Sequence, residues 1–334
     1  MTDDPLLDVR GLKLTIRTDE GPARILDHID FALERGSILG IVGESGCGKS
    51  TIIRAILGIL PAGAQIEAGT IRFDGADLLR MGEHELNTRI RGSRIGFIPQ
   101  DPYLALNPVF KVGTQLMEIM RWHAPDNGDA PGERSRRHRE RILALLRRVQ
   151  LPDPEAALDR YPHQFSGGQR QRLVIAAALA TAPALVIADE PTTALDVTTQ
   201  QQILDLLRDL AAEFRLSMLF VTHDLGVVAQ LCDELCVIYA GQTVESGHTA
   251  AVLAQPHHPY TRALLACHPE RATTFVGIPG VVPSPLRVEP GCRFAPRCAD
   301  ARALCRVRLP HLITDRAGRR VDCALYDVPE SIAS

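Results

Sequence analysis

A glycine-rich run, Gly43-Glu44-Ser45-Gly46-Cys47-Gly48-Lys49-Ser50, sets a lysine and a hydroxyl at the spacing that binds the phosphates of a nucleoside triphosphate. Backbone N–H groups of such a loop curl around the β-phosphate, and a helix starting there adds its partial positive charge. Lys49 would reach the β- and γ-phosphates, the Ser50 hydroxyl would hold Mg2+, and Thr51 adjoins the set. Further along, the apolar run Leu185-Val186-Ile187-Ala188 ends in Asp189-Glu190. A strand ending there puts the Asp189 carboxylate at the C-terminal edge of a sheet, where it can bind Mg2+ through water. Glu190 is then placed to polarise the water that attacks a γ-phosphate. An Asp-Glu-Pro triplet alone is a solvated turn; behind a phosphate loop it reads as the acidic half of a hydrolytic site. Just before it lies Phe165-Ser166-Gly167-Gly168-Gln169-Arg170-Gln171-Arg172. Ser166, Gly167 and Gly168 precede a helical pattern through Leu173 to Leu179, so they offer a hydroxyl and bare N–H groups at a positive helix end, an anion receptor.

The elements that would position these groups follow from periodicity. Ser37 to Val42 reads as a buried strand and Lys49 to Leu60 as a helix stopped by Pro61, with the phosphate loop between them. Short β-rich runs alternate with helical patterns in this first region, which favours a parallel sheet covered by helices. Met218 to Val221 reads as another buried strand, with His223 directly after it. Between Asp101 and Gln164 the alternation disappears: Val112 to Trp122 and Glu133 to Val149 read as helices separated by the loop Ala124-Pro125-Asp126-Asn127-Gly128. The second of these helices carries Arg134-Ser135-Arg136-Arg137-His138-Arg139 and Arg147-Arg148 opposite Ile142, Leu143, Leu145 and Leu146. A solvated face is the ordinary reading of such a run; contact with anionic lipid or a membrane partner is the alternative.

With 334 residues, 45% hydrophobic and 23% charged, the chain can bury one large core and a smaller second one. A net charge of -3 gives no bulk electrostatic case for nucleic acid as a partner. The start, Met1-Thr2-Asp3-Asp4-Pro5, lacks a signal-peptide pattern, and no apolar run approaches the roughly 20 residues of a spanning helix, so a cytosolic chain is expected. The eight cysteines are then not expected in disulfides. Cys292, Cys298, Cys305 and Cys323, set among Gly291, Pro296, Arg297 and Pro310, can bind one soft site, a tetrahedral zinc or an iron-sulfur cluster, or remain free, partly buried thiols. Their spacing lacks the two-residue knuckles typical of structural zinc. Cys232, Cys236 and Cys267 look unrelated, the first two flanking an apolar strand and expected in the core, while Cys47 occupies a variable position of the phosphate loop.

Read with its neighbours, the segment at Phe165 resembles the signature of ATP-binding cassette (ABC) ATPases. The resemblance implies an α/β P-loop fold: a RecA-like core with an antiparallel β part and a helical subdomain at about 101–168. Residues 1–256 would form the nucleotide-binding domain, and 257–334 a small, loop-rich C-terminal domain. Gln100, in Ile98-Pro99-Gln100-Asp101-Pro102, matches the glutamine loop that senses Mg2+ and links the subdomains. Ala194-Leu195-Asp196 matches the loop that communicates across the dimer, and His223, in Val221-Thr222-His223-Asp224, the switch histidine that contacts the γ-phosphate. Ser166 to Gln169 would bind the γ-phosphate held by the opposite subunit, so that ATP joins a head-to-tail dimer with two composite sites. Two departures stand out. Thr15 to Ile25 holds no aromatic to stack on adenine, Phe31 being expected in the core, and Pro99 precedes Gln100 where an aromatic is common.

The tail narrows the resemblance. His257-His258-Pro259-Tyr260-Thr261-Arg262-Ala263-Leu264-Leu265, then Ile278-Pro279-Gly280-Val281-Val282-Pro283-Ser284-Pro285-Leu286 and the four spaced cysteines, are similar to the C-terminal extension of oligopeptide, dipeptide and nickel importer ATPases. Gln100-Asp101-Pro102 and Leu106-Asn107-Pro108 agree. That resemblance implies a peripheral ATPase subunit on the cytoplasmic face of the cell membrane, energising uptake of di- or oligopeptides, or in the alternative nickel or another small solute. It implies a 4Fe-4S cluster on Cys292, Cys298, Cys305 and Cys323, a second, non-identical ATPase subunit, two permeases and an extracytoplasmic substrate-binding protein. A soluble ABC protein acting on nucleic acid or ribosomes is the rival from another class; two cassettes or a long coiled-coil insertion would mark it, and neither is present in the sequence.

Overall fold

Strand burial separates two kinds of sheet in this chain. The computed structural model describes residues 4–125, 128–193, 195–267, 277–288, 290–307, 313–314 and 318–326. Strands β1 (Leu7–Thr18) and β2 (Gly21–Leu33) mix buried with half-exposed positions, as antiparallel strands with one covered face do, whereas β3 (Ile38–Val42) is buried throughout, as a strand covered on both faces is. Next come α1 (Lys49–Leu57), β4 (Ala64–Phe73), β5 (Ala76–Asp77), β6 (Ile95–Ile98), α2 (Val112–His123), α3 (Pro131–Arg148) and α4 (Gly167–Leu179). Then follow β7 (Leu185–Asp189), α5 (Val197–Phe214), β8 (Ser217–Thr222), α6 (Leu225–Leu231), β9 (Glu234–Tyr239) and β10 (Gln242–His248). The tail contributes α7 (Thr249–Ala254), α8 (Pro259–Ala266), β11 (Ile313–Thr314) and β12 (Arg320–Val321).

The chain packs as two units, Met1–Leu79 with Val221–Ser334, and Arg80–Phe220. In the first, β2-β1-β4-β5 form an antiparallel sheet, with Leu7 paired to both Leu33 and Phe73. There too β3 runs parallel to β9, Val42 opposite Val237, while β9, β10, β12 and β11 continue antiparallel. Phe31 is buried in this unit, as expected of a core residue. In the second, β6 runs parallel to β7 with Ile98 opposite Ala188. Because parallel neighbours end at the same edge, this register delivers Pro99-Gln100 and Asp189-Glu190 side by side.

Several boundaries differ from the sequence reading, for local reasons. Helix α1 stops at Leu57 because Gly58 takes a left-handed cap, φ 66°, and its N–H turns back to the Ala55 carbonyl; Pro61 comes too late to be the stop. Helix α3 starts at Pro131, two residues ahead of Glu133, because a proline suits a first turn, whose N–H groups have no partner within the helix. Cys232 precedes β9 and Cys236 lies within it, both buried, so only the first flanks the strand. Asp126 and Asn127 of the loop between the two helices, and Ala194, lie outside the described residues.

Candidate functional site

The phosphate loop leaves β3 and enters α1 under tight constraint. A Cβ on Gly43 would sit 2.1 Å from the Ile238 carbonyl oxygen, so the loop starts hard against the end of β9 and only glycine fits. The Cys47 carbonyl accepts from Gly241 N (2.8 Å), tying the loop to the β9–β10 turn. Cys47 itself is buried, which pushes its thiol up despite the Lys49 charge nearby. Lys49, a residue only 6% exposed, donates its ammonium to the carbonyls of Gly43 (2.7 Å) and Glu44 (3.2 Å), which keeps the cation inside the curve of the loop. Ser45, Gly46 and Ser50 are exposed, while Gly48 is buried and Thr51 half-buried. The Glu44 N–H donates to the Tyr260 hydroxyl (3.0 Å), which reaches in from α8.

The acidic pair is held at the shared edge of β6 and β7. Gln100 Nε2 donates to Glu190 Oε2 at 3.3 Å, and the Thr193 hydroxyl donates to the same oxygen at 3.0 Å. Glu190 is a non-glycine residue at φ 45°, a left-handed conformation that costs on the order of 1–3 kcal/mol and persists only where its surroundings enforce it. Thr193 N bonds back to the Glu190 carbonyl at 3.2 Å, closing the turn that does so. Asp189, the last residue of β7, is half-buried beside it. Gln100 and Glu190 are thus in contact, as their shared position at a strand end implies; Thr193 was not singled out, although a threonine three residues beyond an acid is a readable turn signal.

The segment from Ser166 builds a capped helix start. Ser166 Oγ accepts from Gln169 N (3.3 Å) while Gln169 Oε1 accepts from Ser166 N (3.1 Å), a reciprocal capping box. Gln169 therefore orients the loop end. The N–H groups of Gly167 and Gly168 precede the first intrahelical bond, Arg170 N to Ser166 O at 2.9 Å, so they form the positive end of α4. A Cβ on Gly168 would lie 2.7 Å from Thr199 Cγ2, so the signature packs directly on the first turn of α5. Asp196 caps that turn, accepting from Thr199 N (2.9 Å) and Oγ1 (2.8 Å), and these bonds hold its carboxyl below the usual range.

His223 follows β8 and is exposed, while Asp224 caps α6 by accepting from Gly226 N (2.7 Å) and Val227 N (3.3 Å). The phosphate loop and His223 belong to the first packing unit; Gln100, the signature and the acidic pair belong to the second.

In the tail, Cys292, Cys298, Cys305 and Cys323 all border one narrow cavity of about 20 Å3, together with His258 and Phe294. That space is about one water's worth. Among the described residues no group of three or more His, Cys, Asp or Glu side chains is arranged to hold a metal ion. Burial pushes the Cys292 thiol up to about 12 and that of Cys323 to about 11, and raises Cys298 as well. Ligation of a metal there would release protons.

Comparison with known proteins agrees with this geometry. The ABC transporter family model matches residues 26–193, and the model of the oligopeptide/dipeptide transporter C-terminal region matches 244–305. A probable peptide ABC transporter ATP-binding protein of Sinorhizobium fredii is 44% identical over 96% of this chain and 95% of its own length. The oligopeptide transport ATP-binding protein OppD of Escherichia coli is 44% identical over 90% of this chain and 88% of its own. Among solved structures, the dimeric bacterial ABC transporter cassette MJ0796 superposes with a TM-score of 0.62 at 27% identity, covering 73% of this chain and 98% of the cassette. CbiO1 of Clostridium perfringens superposes at 0.63 with 28% identity, covering 76% and 92%. The phosphate loop, the capped signature and the acidic strand end, joined to a tail of the peptide-transporter type, place this chain in the ABC transporter family, as an ATPase subunit of its oligopeptide/dipeptide branch.

Proposed function

We propose that this chain hydrolyses ATP on the cytoplasmic face of the cell membrane to drive import of di- or oligopeptides. The observation that carries the hydrolytic part is the Glu190 carboxylate, held in a strained turn with Gln100 at 3.3 Å and Thr193 at 3.0 Å. Strain at a carboxylate is retained where its aim matters, and a general base must be aimed at one water. In this reading the loop amides of residues 43–48 and the Lys49 ammonium bind the β- and γ-phosphates, with Thr51 adjoining. Ser50, Gln100 and Asp189 are the residues that would hold Mg2+, which when bound offsets charge on the phosphates. Glu190 takes the proton of the attacking water, and His223 contacts the γ-phosphate. Gly167 and Gly168 present their N–H groups, and Ser166 its hydroxyl, to the nucleotide of the opposite subunit, while Gln169 orients the loop end through the capping box.

The peptide cargo is supported by the names of the relatives and by the tail match. On the sequence resemblance we assign residues 1–256 to nucleotide binding, with 101–168 as the helical subdomain, and 257–334 to the extension; the tail-family match begins at residue 244. The same resemblance leads us to propose a non-identical ATPase partner, two permeases and an external substrate-binding protein. Among the described residues no helix is long and apolar enough to cross a membrane, which suits peripheral attachment to permeases. The tail resemblance and the four thiols that border one cavity support a 4Fe-4S cluster on Cys292, Cys298, Cys305 and Cys323, for which that cavity, lined also by His258 and Asp300, would have to widen beyond one water's volume. Anaerobically purified protein should then contain about four iron atoms per chain and absorb visible light; a colourless, iron-free, fully assembled complex would remove the cluster. The transport reading is tested by uptake of labelled peptide in cells lacking the chain and complemented with it: restored uptake supports peptide cargo, and uptake independent of the chain sinks it.

A further inference from the structure

Arg297 lies in the cysteine-bearing tail, directly before Cys298, and its side chain is 4% exposed. It reaches the phosphate loop. One guanidinium nitrogen, Nη1, donates to Glu44 Oε2 (2.9 Å) and to the Tyr239 hydroxyl (3.1 Å). The other, Nη2, donates to Glu44 Oε1 (3.3 Å) and the Ile278 carbonyl (2.9 Å), while Nε donates to the Pro279 carbonyl (2.9 Å). Every N–H of the guanidinium thus has an acceptor, and the Glu44 carboxylate is gripped at both oxygens. Glu44 is also held at its N–H by Tyr260 and at its carbonyl by Lys49. Tyr239, Tyr260 and Phe294 pack with ring centroids 4.6 to 5.4 Å apart, a rigid support for these contacts. All of these residues belong to one packing unit.

We propose that Arg297 is a positioning residue for the phosphate loop: by gripping the Glu44 carboxylate, the tail sets the affinity of the loop for nucleotide phosphates. Two effects act in the same direction. Backbone donors bind an anion tightly only when they are held in place beforehand, and the Arg297 bonds fix Glu44, the second residue of the loop. The guanidinium also neutralises a carboxylate that otherwise stands beside an anion site and repels its ligand. A lysine supplies the charge without the paired, planar hydrogen bonds.

The inference rests on the reading of residues 43–51 as the ATP site, and one set of measurements separates the two. Equilibrium binding of ATP with Mg2+ to the purified full chain is compared for wild type, Arg297→Met, Glu44→Gln and the double variant, with KM and kcat for ATP measured in the assembled transporter. Arg297→Met is expected to weaken ATP binding about tenfold and to raise KM with little change in kcat. In the Glu44→Gln background the same substitution should cost less than about threefold, because its target carboxylate is gone. Should Arg297→Met fail to fold, Arg297→Lys takes its place, with a loss of about threefold expected in the wild-type background and none in Glu44→Gln. Wild-type affinity in the arginine variants, or equal losses in both backgrounds, would overturn the role of Arg297 alone. Failure of the wild-type chain to bind ATP would overturn the phosphate-loop reading and this inference with it.

Discussion

Glu190 carries the chemistry in this account, and its backbone shows the cost of aiming it. A left-handed glutamate is tolerated because Gln100 and Thr193 hold its carboxylate and a turn closes beneath it. Replacing Glu190 with Gln keeps the size and most of the hydrogen bonding but removes the base. Steady-state hydrolysis should fall by about 100-fold or more while ATP binding persists, as read by turnover and filter binding on the same preparation; near-normal turnover would show that another group takes the proton. Residues whose chemistry depends on short spacings, such as Lys49, Ser50, Asp189 and Glu190, were legible in sequence. Tyr260 and Arg297 were visible only as marks of a tail type. Their partner Glu44 lies 216 and 253 residues away, and no local pattern encodes a contact that the fold alone creates.

At the scale of elements, the signature depends on a close approach between two helix starts. Helix α4 begins against α5, with Gly168 facing Thr199. Gly168→Ala is therefore expected to push α4 outward, costing about 1–3 kcal/mol of stability and most of the hydrolysis, while binding at the phosphate loop survives. Adding Thr199→Ser removes the methyl group in the way and keeps the hydroxyl that bonds Asp196, so activity should partly return. Calorimetry and turnover of the single and double variants check this; a double variant no better than Gly168→Ala would place the defect elsewhere. Burial period and capping residues made the elements themselves readable, because β3 and the first four residues of β7 are apolar and Ser166 and Asp196 are N-caps. Helix ends were less so. Gly58 stops α1 through a backbone conformation, whereas the sequence shows the more conspicuous Pro61 downstream. The arginine run of α3 also reads more plainly in the structure: Arg137 pairs with Asp129, and Arg148 with Glu213 at 2.8 Å, so part of its charge is met within the chain. That favours the solvated face for the arginines, whereas His138 of the same run is buried.

At the scale of the whole molecule, the chain has the proposed phosphate donors in one segment and a second helix end suited to an anion in another, a division that suits a dimer sharing its nucleotides. On the proposed shared-site arrangement, in which a partner's signature completes each site, the chain purified alone should hydrolyse ATP about 100-fold more slowly than in the complete assembly. Undiminished turnover by a monomer, verified by sedimentation, would contradict shared sites. The most direct test of the account joins both ends of the machine. In proteoliposomes carrying the complete transporter with ATP enclosed, external peptide-loaded binding protein should stimulate hydrolysis and drive accumulation of labelled peptide, with both lost when ATP is omitted. Hydrolysis indifferent to the loaded binding protein, or accumulation that proceeds without ATP, would contradict it.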